Sequence, residues 1–270
     1  MRLPLFVSVA GRFLRHEPDR RNGVRLAVVT VALWARGRLG RPARPVRVEI
    51  SIAGAPAVAL CLWDYIDVLV AREVFLDGEY RLPPDLRPRT ILDLGANSGI
   101  TVRYFRALFP DAHVLAVEPD PANFRRLEVN CRGDTNVTLV QAAAAPEAGR
   151  ATFYAVADGW ASSLSERPDA TPTEVEALTV RDLLGRAGWT RVDLLKLDIE
   201  GGEWPLLHAG SIAESTDFIV GELHTDAEHT LAQARALLPG FRLAVLHEHG
   251  PAISFAAASG TRSSREAPIP

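Results

Sequence analysis

The sequence predicts an α/β protein built on a doubly wound, mostly parallel sheet of seven strands, carrying an N-terminal extension of helices and strands. Three observations point there. From Thr90 onward, short apolar runs alternate with segments whose apolar residues recur at helical spacing. A glycine-containing turn, "DLGANSG" (93–99), joins the first such run to the first such helix. The ending "LLPGFRLAVLHEHGPAISFAAA" reads as a final antiparallel hairpin.

In chain order, the first stretch is basic. Residues 1–45 hold ten arginines against Glu17 and Asp19, a net +8, so with −3 overall the remainder carries −11. An acidic body excludes a general grip on nucleic acid, which needs a basic face. Within this arm the apolar run Leu26 to Trp34, flanked by Arg25, Arg36 and Arg38, is too short to cross a bilayer, which takes about twenty residues. The start "LPLFVSVAG" lacks a signal peptide's long apolar run and cleavage site. The expected helix therefore packs on the domain or on a second subunit, as in a homo-oligomer, or lies peripherally on an anionic membrane surface. "GRPARP" ends it as a linker.

Residues 46–89 form a preamble to the main domain: one or two strands around Gly54-Ala55-Pro56, a helical "DYIDVLVAREVFLDGEY", and the proline-rich "RLPPDLRPR". The main domain is expected over 90–258. Its core strands are "TILDLG", "HVLAVEP", "NVTLVQAA", "RVDLLKLDIE", "DFIVGELH", "FRLAVLH" and "AISFAAA"; "GRATFYAV" and "TEVEALTV" are extra strands around a loop at 158–173. Helices fall on "ITVRYFRALFP", "PANFRRLEVNC" with Pro121 in its first turn, "VRDLLGRAGW", "EWPLLHAG" and "DAEHTLAQARALLPG". Residues 259–270 read as a flexible tail. With 47% hydrophobic and 23% charged residues the chain has enough apolar surface for one large core. Cys61 and Cys131 stand without a metal-like spacing and read as core thiols of a reducing cytoplasm.

The turn after the first strand sets its backbone amides at a helix N-terminus, with Gly95 and Gly99 giving sharp turning and close approach, Asn97 tolerating a left-handed backbone, and Ala96 counted with them at the ligand. The G-x-G-x-x-G spacing of a pyrophosphate site is absent, which argues against a nicotinamide oxidoreductase. Asp93, ending the strand, suits a cationic ligand. Glu118, in "VEPD" about twenty residues further on, suits both hydroxyls of a ribose. Together they indicate an adenosine ligand without pyrophosphate, S-adenosyl-L-methionine, with Pro119, Gln141 and Ala142 near its adenine and Tyr80 over its methionine end.

The chain carries one lysine, Lys196, in "LLKLDIEGGEW". In a strand Lys196, Asp198 and Glu200 share one side, so this charged row is expected at the strand's carboxyl end, with Lys196 ion-paired to Asp198 or Glu200. Candidates for a general base near the neighbouring strand ends are Asp198, Glu200, Glu222 and His224, of which His224 has the unperturbed pKa closest to neutrality. A divalent metal is not required. Trp160, Ser162 and Ser163, in "DGWASSLSERPD", are expected to close over the acceptor together with Glu200.

From about Val74 to Leu246 the chain resembles the FkbM-type class I methyltransferases: "REVFLDGEY", "ILDLGANSGI", "VLAVEPDPANFRRLEVN", "ATFY" followed by "ASSL", "VEALTVRDLL" and "LLKLDIEGGEW", the last matching K-x-D-x-E-G-x-E at Lys196, Asp198, Glu200, Gly201 and Glu203. The resemblance implies methyl transfer from S-adenosyl-L-methionine, with Asp198 also near the cofactor and Lys196 among the catalytic residues. A hydroxyl of a small molecule, a sugar or polyketide-type secondary metabolite, is the expected acceptor. N-methylation and a catalytically silent cofactor-binding protein are the alternatives.

Overall fold

The computed structural model describes residues 4–52, 54–155, 171–250 and 252–260. Two helices open the chain, α1 (Leu5–His16) and α2 (Arg20–Arg38), followed by an antiparallel hairpin of β1 (Val46–Ile52) and β2 (Ala55–Leu62). Helix α3 (Tyr65–Arg72) starts at Asp64, whose carboxylate accepts the amides of Ile66 and Asp67. It runs into a wider turn over Glu73–Asp77 that stops at left-handed Gly78. Next come β3 (Thr90–Leu94), α4 (Ile100–Leu108), β4 (His113–Val117), α5 (Pro121–Asn130) and β5 (Val137–Val140). Short β6 (Ala143–Ala144) joins β7 (Gly149–Ala155) and β8 (Thr171–Leu178) in a separate three-stranded sheet. Then follow α6 (Val180–Arg186), β9 (Val192–Leu197), α7 (Glu203–His208), α8 (Ser211–Ser215), β10 (Thr216–His224), α9 (Leu231–Leu237), β11 (Phe241–His249) and β12 (Ala252–Ser259).

The main sheet has seven strands in the order β11-β12-β10-β9-β3-β4-β5. From β10 through β5 neighbours are parallel, while β12 slots antiparallel between β10 and β11. The expected fold class and closing hairpin are thus present. Alternation explains why these strands read as unbroken apolar runs: Ile91, Leu194 and Phe218 point into one core, and Leu92, Leu195 and Ile219 into the other.

The first of these cores is shared with the extension, through Phe13, Leu26, Leu33, Val48, Leu60 and Val74. Helix α1 is not evident in the sequence, where its apolar run is short and has no clear helical boundary signals. It forms because Val9 and Phe13 bury on the domain and Phe6 stacks on Trp34 of α2 at 3.9 Å between centroids. Among the described residues no helix is long and apolar enough to cross a membrane.

Candidate functional site

A cavity of about 540 Å³ opens at the carboxyl ends of β3, β4, β9 and β10, between them and the turn that follows α3. That volume is in the range of pockets for small molecules and cofactors, about 300–1,000 Å³. Crevices at the carboxyl ends of parallel strands are where doubly wound sheets hold ligands.

One end of the cavity is built by the turn after β3. Gly95 has φ +81°, and a Cβ there would lie 1.9 Å from the carbonyl oxygen of Asp198, so only glycine lets β3 and β9 end side by side. Asn97 is also left-handed, at φ +48°. Its amide donates to Glu118 Oε2 at 2.8 Å, and the amide of Asp120 donates to Glu118 Oε1 at 2.8 Å. Both carboxylate oxygens are thereby fixed by backbone, and Glu118 stands on the cavity wall with Ala96, Asn97, Pro119 and Ala142. Burial pushes the Glu118 carboxyl up to about 7, against the pull of those two amides.

Three residues expected at the cofactor do not reach the cavity wall. Asp93 is fully buried behind it, where Oδ2 accepts from Thr101 Oγ1 at 2.5 Å and Oδ1 lies 3.4 Å from Lys196 Nζ. Its side chain points into the protein, where it braces the turn from behind the cavity wall. Gln141 is exposed, because the alternation that turns Val140 and Ala142 inward turns it outward. Gly99 starts α4 at φ +86° with Leu127 Cδ1 2.8 Å from the place of a Cβ, so its freedom serves packing on α5.

The other end of the cavity is crowded with charge. Lys196 Nζ donates to the carbonyl oxygens of Gly95 at 2.6 Å, Leu94 at 3.2 Å and Asp198 at 3.4 Å. It also sits 3.4 Å from Asp93 Oδ1 and from Asp198 Oδ2, and no ion pair with Glu200 forms. Burial pulls its pKa down, but the two aspartates outweigh that and raise it, so Lys196 stays a cation. A point charge surrounded by three carbonyls suits ammonium, where a planar guanidinium would overfill the space. Asp198 Oδ2 accepts the Tyr80 hydroxyl at 2.7 Å, and its buried Oδ1 has no hydrogen-bond partner among the described residues.

The period-two expectation for Glu200 is corrected. Strand β9 stops at Leu197, and Glu200 lies in the following turn with φ +55°, so it enters the cavity from a left-handed bend. There Glu200 Oε2 is 3.3 Å from His224 Nε2, while Glu203 Oε1 is 3.4 Å from His224 Nδ1 on the other side. The two carboxylates push the His224 pKa up to about 11, with Glu200 the larger influence. Two flanking carboxylates favour the imidazolium form of His224, which works against the expectation that it serves as the base. Glu222, on the same wall, is pushed up to about 8, first by burial and then by Asp198.

Several wall residues were not singled out from the sequence. Glu79 is buried with its carboxylate bonded to Ser254 of β12, and Glu73, Ser98, Asn123, Phe153 and Ile199 also line the cavity. Glu79 stands beside Tyr80 in "DGEY", but which way it faces is set by the wide turn before it, which no local pattern marks. Glu203, matched as a motif letter only, accepts the amides of Ile199 and Gly201 at 3.0 and 3.1 Å and shapes the whole bend. Trp160, Ser162 and Ser163 lie outside the described residues. Among the described residues no group of three or more His, Cys, Asp or Glu is arranged to hold a metal ion.

The family pattern described as the Methyltransferase FkbM domain matches residues 93–250. The 31-O-demethyl-FK506 methyltransferase FkbM of Streptomyces tacrolimicus is 31% identical over 220 residues, covering 67% of this chain and 83% of that protein. Methyltransferase 1 of Beauveria bassiana is 30% identical over 205 residues, covering 65% of this chain and 81% of its own. The 2-O-methyltransferase NoeI of Sinorhizobium fredii is 30% identical over 183 residues, 59% of this chain and 75% of that one. The domain match spans more than half of the sequence and runs from the end of β3 through β11, taking in the carboxyl ends of β3, β4, β9 and β10 that carry the cavity. The chain belongs to the FkbM methyltransferase family.

Proposed function

We propose that this protein is an S-adenosyl-L-methionine-dependent O-methyltransferase acting on a hydroxyl of a small molecule, a sugar or a polyketide-type secondary metabolite. The observation that carries the reading is Glu118, presented to the cavity with each oxygen pinned by one amide and each still able to accept a hydroxyl. Two hydroxyls on adjacent ribose carbons match that pair of oxygens. Two of the relatives are named for methylating oxygen, which supports the choice of a hydroxyl acceptor. The cytoplasmic location belongs to the same reading, supported by the free thiols of Cys61 and Cys131.

The residues present fit the cofactor: at one end Glu118 for the ribose, on a turn whose own amides are taken up by Val117, Ala96 and Glu118, and at the other end Asp198 beside Tyr80, with one carboxylate oxygen lacking a hydrogen-bond partner among the described residues. When bound, S-adenosyl-L-methionine supplies a methyl group made electrophilic by its sulfonium. The protein's own part is to hold the acceptor oxygen in line, exclude water and take the acceptor's proton. Glu222 is the residue we assign as proton acceptor, because it stands on the cavity wall with Asp198, and burial and that neighbour push its carboxyl up to about 8, within reach of working pH. The salt-linked trio Glu200, His224 and Glu203 holds the wall beside it.

The reading is tested by incubating the protein with methyl-labelled cofactor and a panel of hydroxylated sugars and macrolactones, then locating the label by NMR. A methyl ether is expected. Label on nitrogen, or none with any acceptor while the cofactor binds, contradicts it.

A further inference from the structure

Among the described residues, the large apolar side chains left exposed lie, apart from Val129, within the first 39 residues. They are not scattered. Val24, Val28 and Val31 fall at i, i+4 and i+7 on α2, a single stripe on the side away from buried Leu26 and Leu33, and Val28 is 62% exposed. On α1, Val7 and Leu14 lie two turns apart on an exposed side. The two helices run antiparallel in known register, since Phe6 stacks on Trp34 and the backbone of Leu14 lies 3.6 Å from the place of a Cβ on Gly23. Leu14 therefore borders Val24, and the two rows form one outer face.

Arginines surround this face. Arg15, Arg20, Arg21, Arg38 and Arg41 are exposed and form no ion pair among the described residues, whereas Arg12 is tied to Asp77. Of the two acids in the first 45 residues, Glu17 is buried and bonded to Ser51 and Asn22, leaving Asp19 alone at the surface. An apolar stripe edged by arginine is the pattern of a helix lying in a lipid headgroup layer. A second copy of the chain fits less well, because a two-fold contact through this face would set two arginine rims, each in an arm of net +8, against each other. The −11 carried by the rest of the chain is repelled by an anionic surface, which orients the hairpin toward it.

We propose that the outer face of the α1–α2 hairpin docks this protein peripherally on anionic lipid bilayers. The full chain is sedimented with vesicles of phosphatidylcholine alone and of phosphatidylcholine with phosphatidylglycerol at about three to one. Binding is expected to the mixed vesicles only, to weaken as salt shortens the Debye length, and to fall roughly tenfold for each of V24D and V28D. R20Q/R21Q is expected to weaken binding without touching the apolar stripe. Both valines are exposed, so unchanged thermal midpoints keep the comparison valid. No binding to the mixed vesicles at low salt, or equal binding by V24D/V28D, overturns the proposal. So does a dimer in sedimentation velocity that V28D converts to monomer, which would assign the face to a second copy.

Discussion

Glu118 and Glu222 are both buried carboxyls with raised pKa, but their surroundings give them different work. Glu118 is clamped by two amides, which suits the binding of ribose hydroxyls proposed for it. Glu222 lies next to Asp198 and His224 with its carboxyl pushed up to about 8. If it takes the acceptor's proton, kcat/KM rises with pH and levels off above about 8, because only the ionised form accepts. Glu222→Gln is expected to lower kcat about 100-fold and to remove that limb of the pH profile; a profile unchanged in shape assigns the proton to another group. Lys196 belongs to the frame beneath them. Lys196→Arg is expected to destabilise the protein by about 2 kcal/mol in urea unfolding, because the larger head overpacks a site closed by three carbonyls. An unchanged midpoint would mean the space is looser than its contacts indicate.

Among elements, the parallel strands and their carboxyl-end turns were legible because each buried strand is a short apolar run closed by glycine, proline or an acid. What periodicity could not supply was where a strand stops. Extending β9 through Glu200 put three charges in one row, whereas the strand ends at Leu197 and Glu203 gathers the next amides into a bend. Gln141 and Asp93 stand off the cavity wall for a related reason: sequence marks a residue as close to a strand end without fixing which way its side chain points. Long-range ties were equally invisible. Asn130, at the end of α5, donates to the carbonyls of Cys61 and Ser98 and accepts the amide of Cys61, joining β2 to the turn that carries Asn97. Asn130→Ala leaves these buried groups unpaired and is expected to cost about 2 kcal/mol of stability and to weaken cofactor binding with it. Loss of neither would show that the hairpin does not support the turn.

For the whole molecule, the buried titratable groups set a direction for stability against pH. Glu118 and Glu222 keep protons in the folded state that the unfolded chain has released above its ordinary 4.5, so stability falls as pH rises from there through about 7 and 8. His224 acts in the same direction: its contribution is complete below 6.5 and is lost as pH rises through about 11. Asp134, Asp182 and Asp226, whose pKa values are lowered, contribute above 3.8 and lose that contribution as pH falls below it. The ligand-free protein is therefore expected to melt highest at about pH 4 to 6 and progressively lower toward pH 9. A midpoint that climbs from pH 5 to pH 9 contradicts this account of the buried acids.

Calorimetric titration with S-adenosylhomocysteine, run on the wild type and on Glu118→Ala from pH 6 to pH 8, tests the central claim most directly. The wild type is expected to bind with micromolar affinity that strengthens as pH rises through about 7, as Glu118 ionises to receive two hydroxyls, and the variant to lose at least about 100-fold. Equal affinity in the two proteins at every pH would place the adenosine elsewhere, and the cavity at the strand ends would need another ligand.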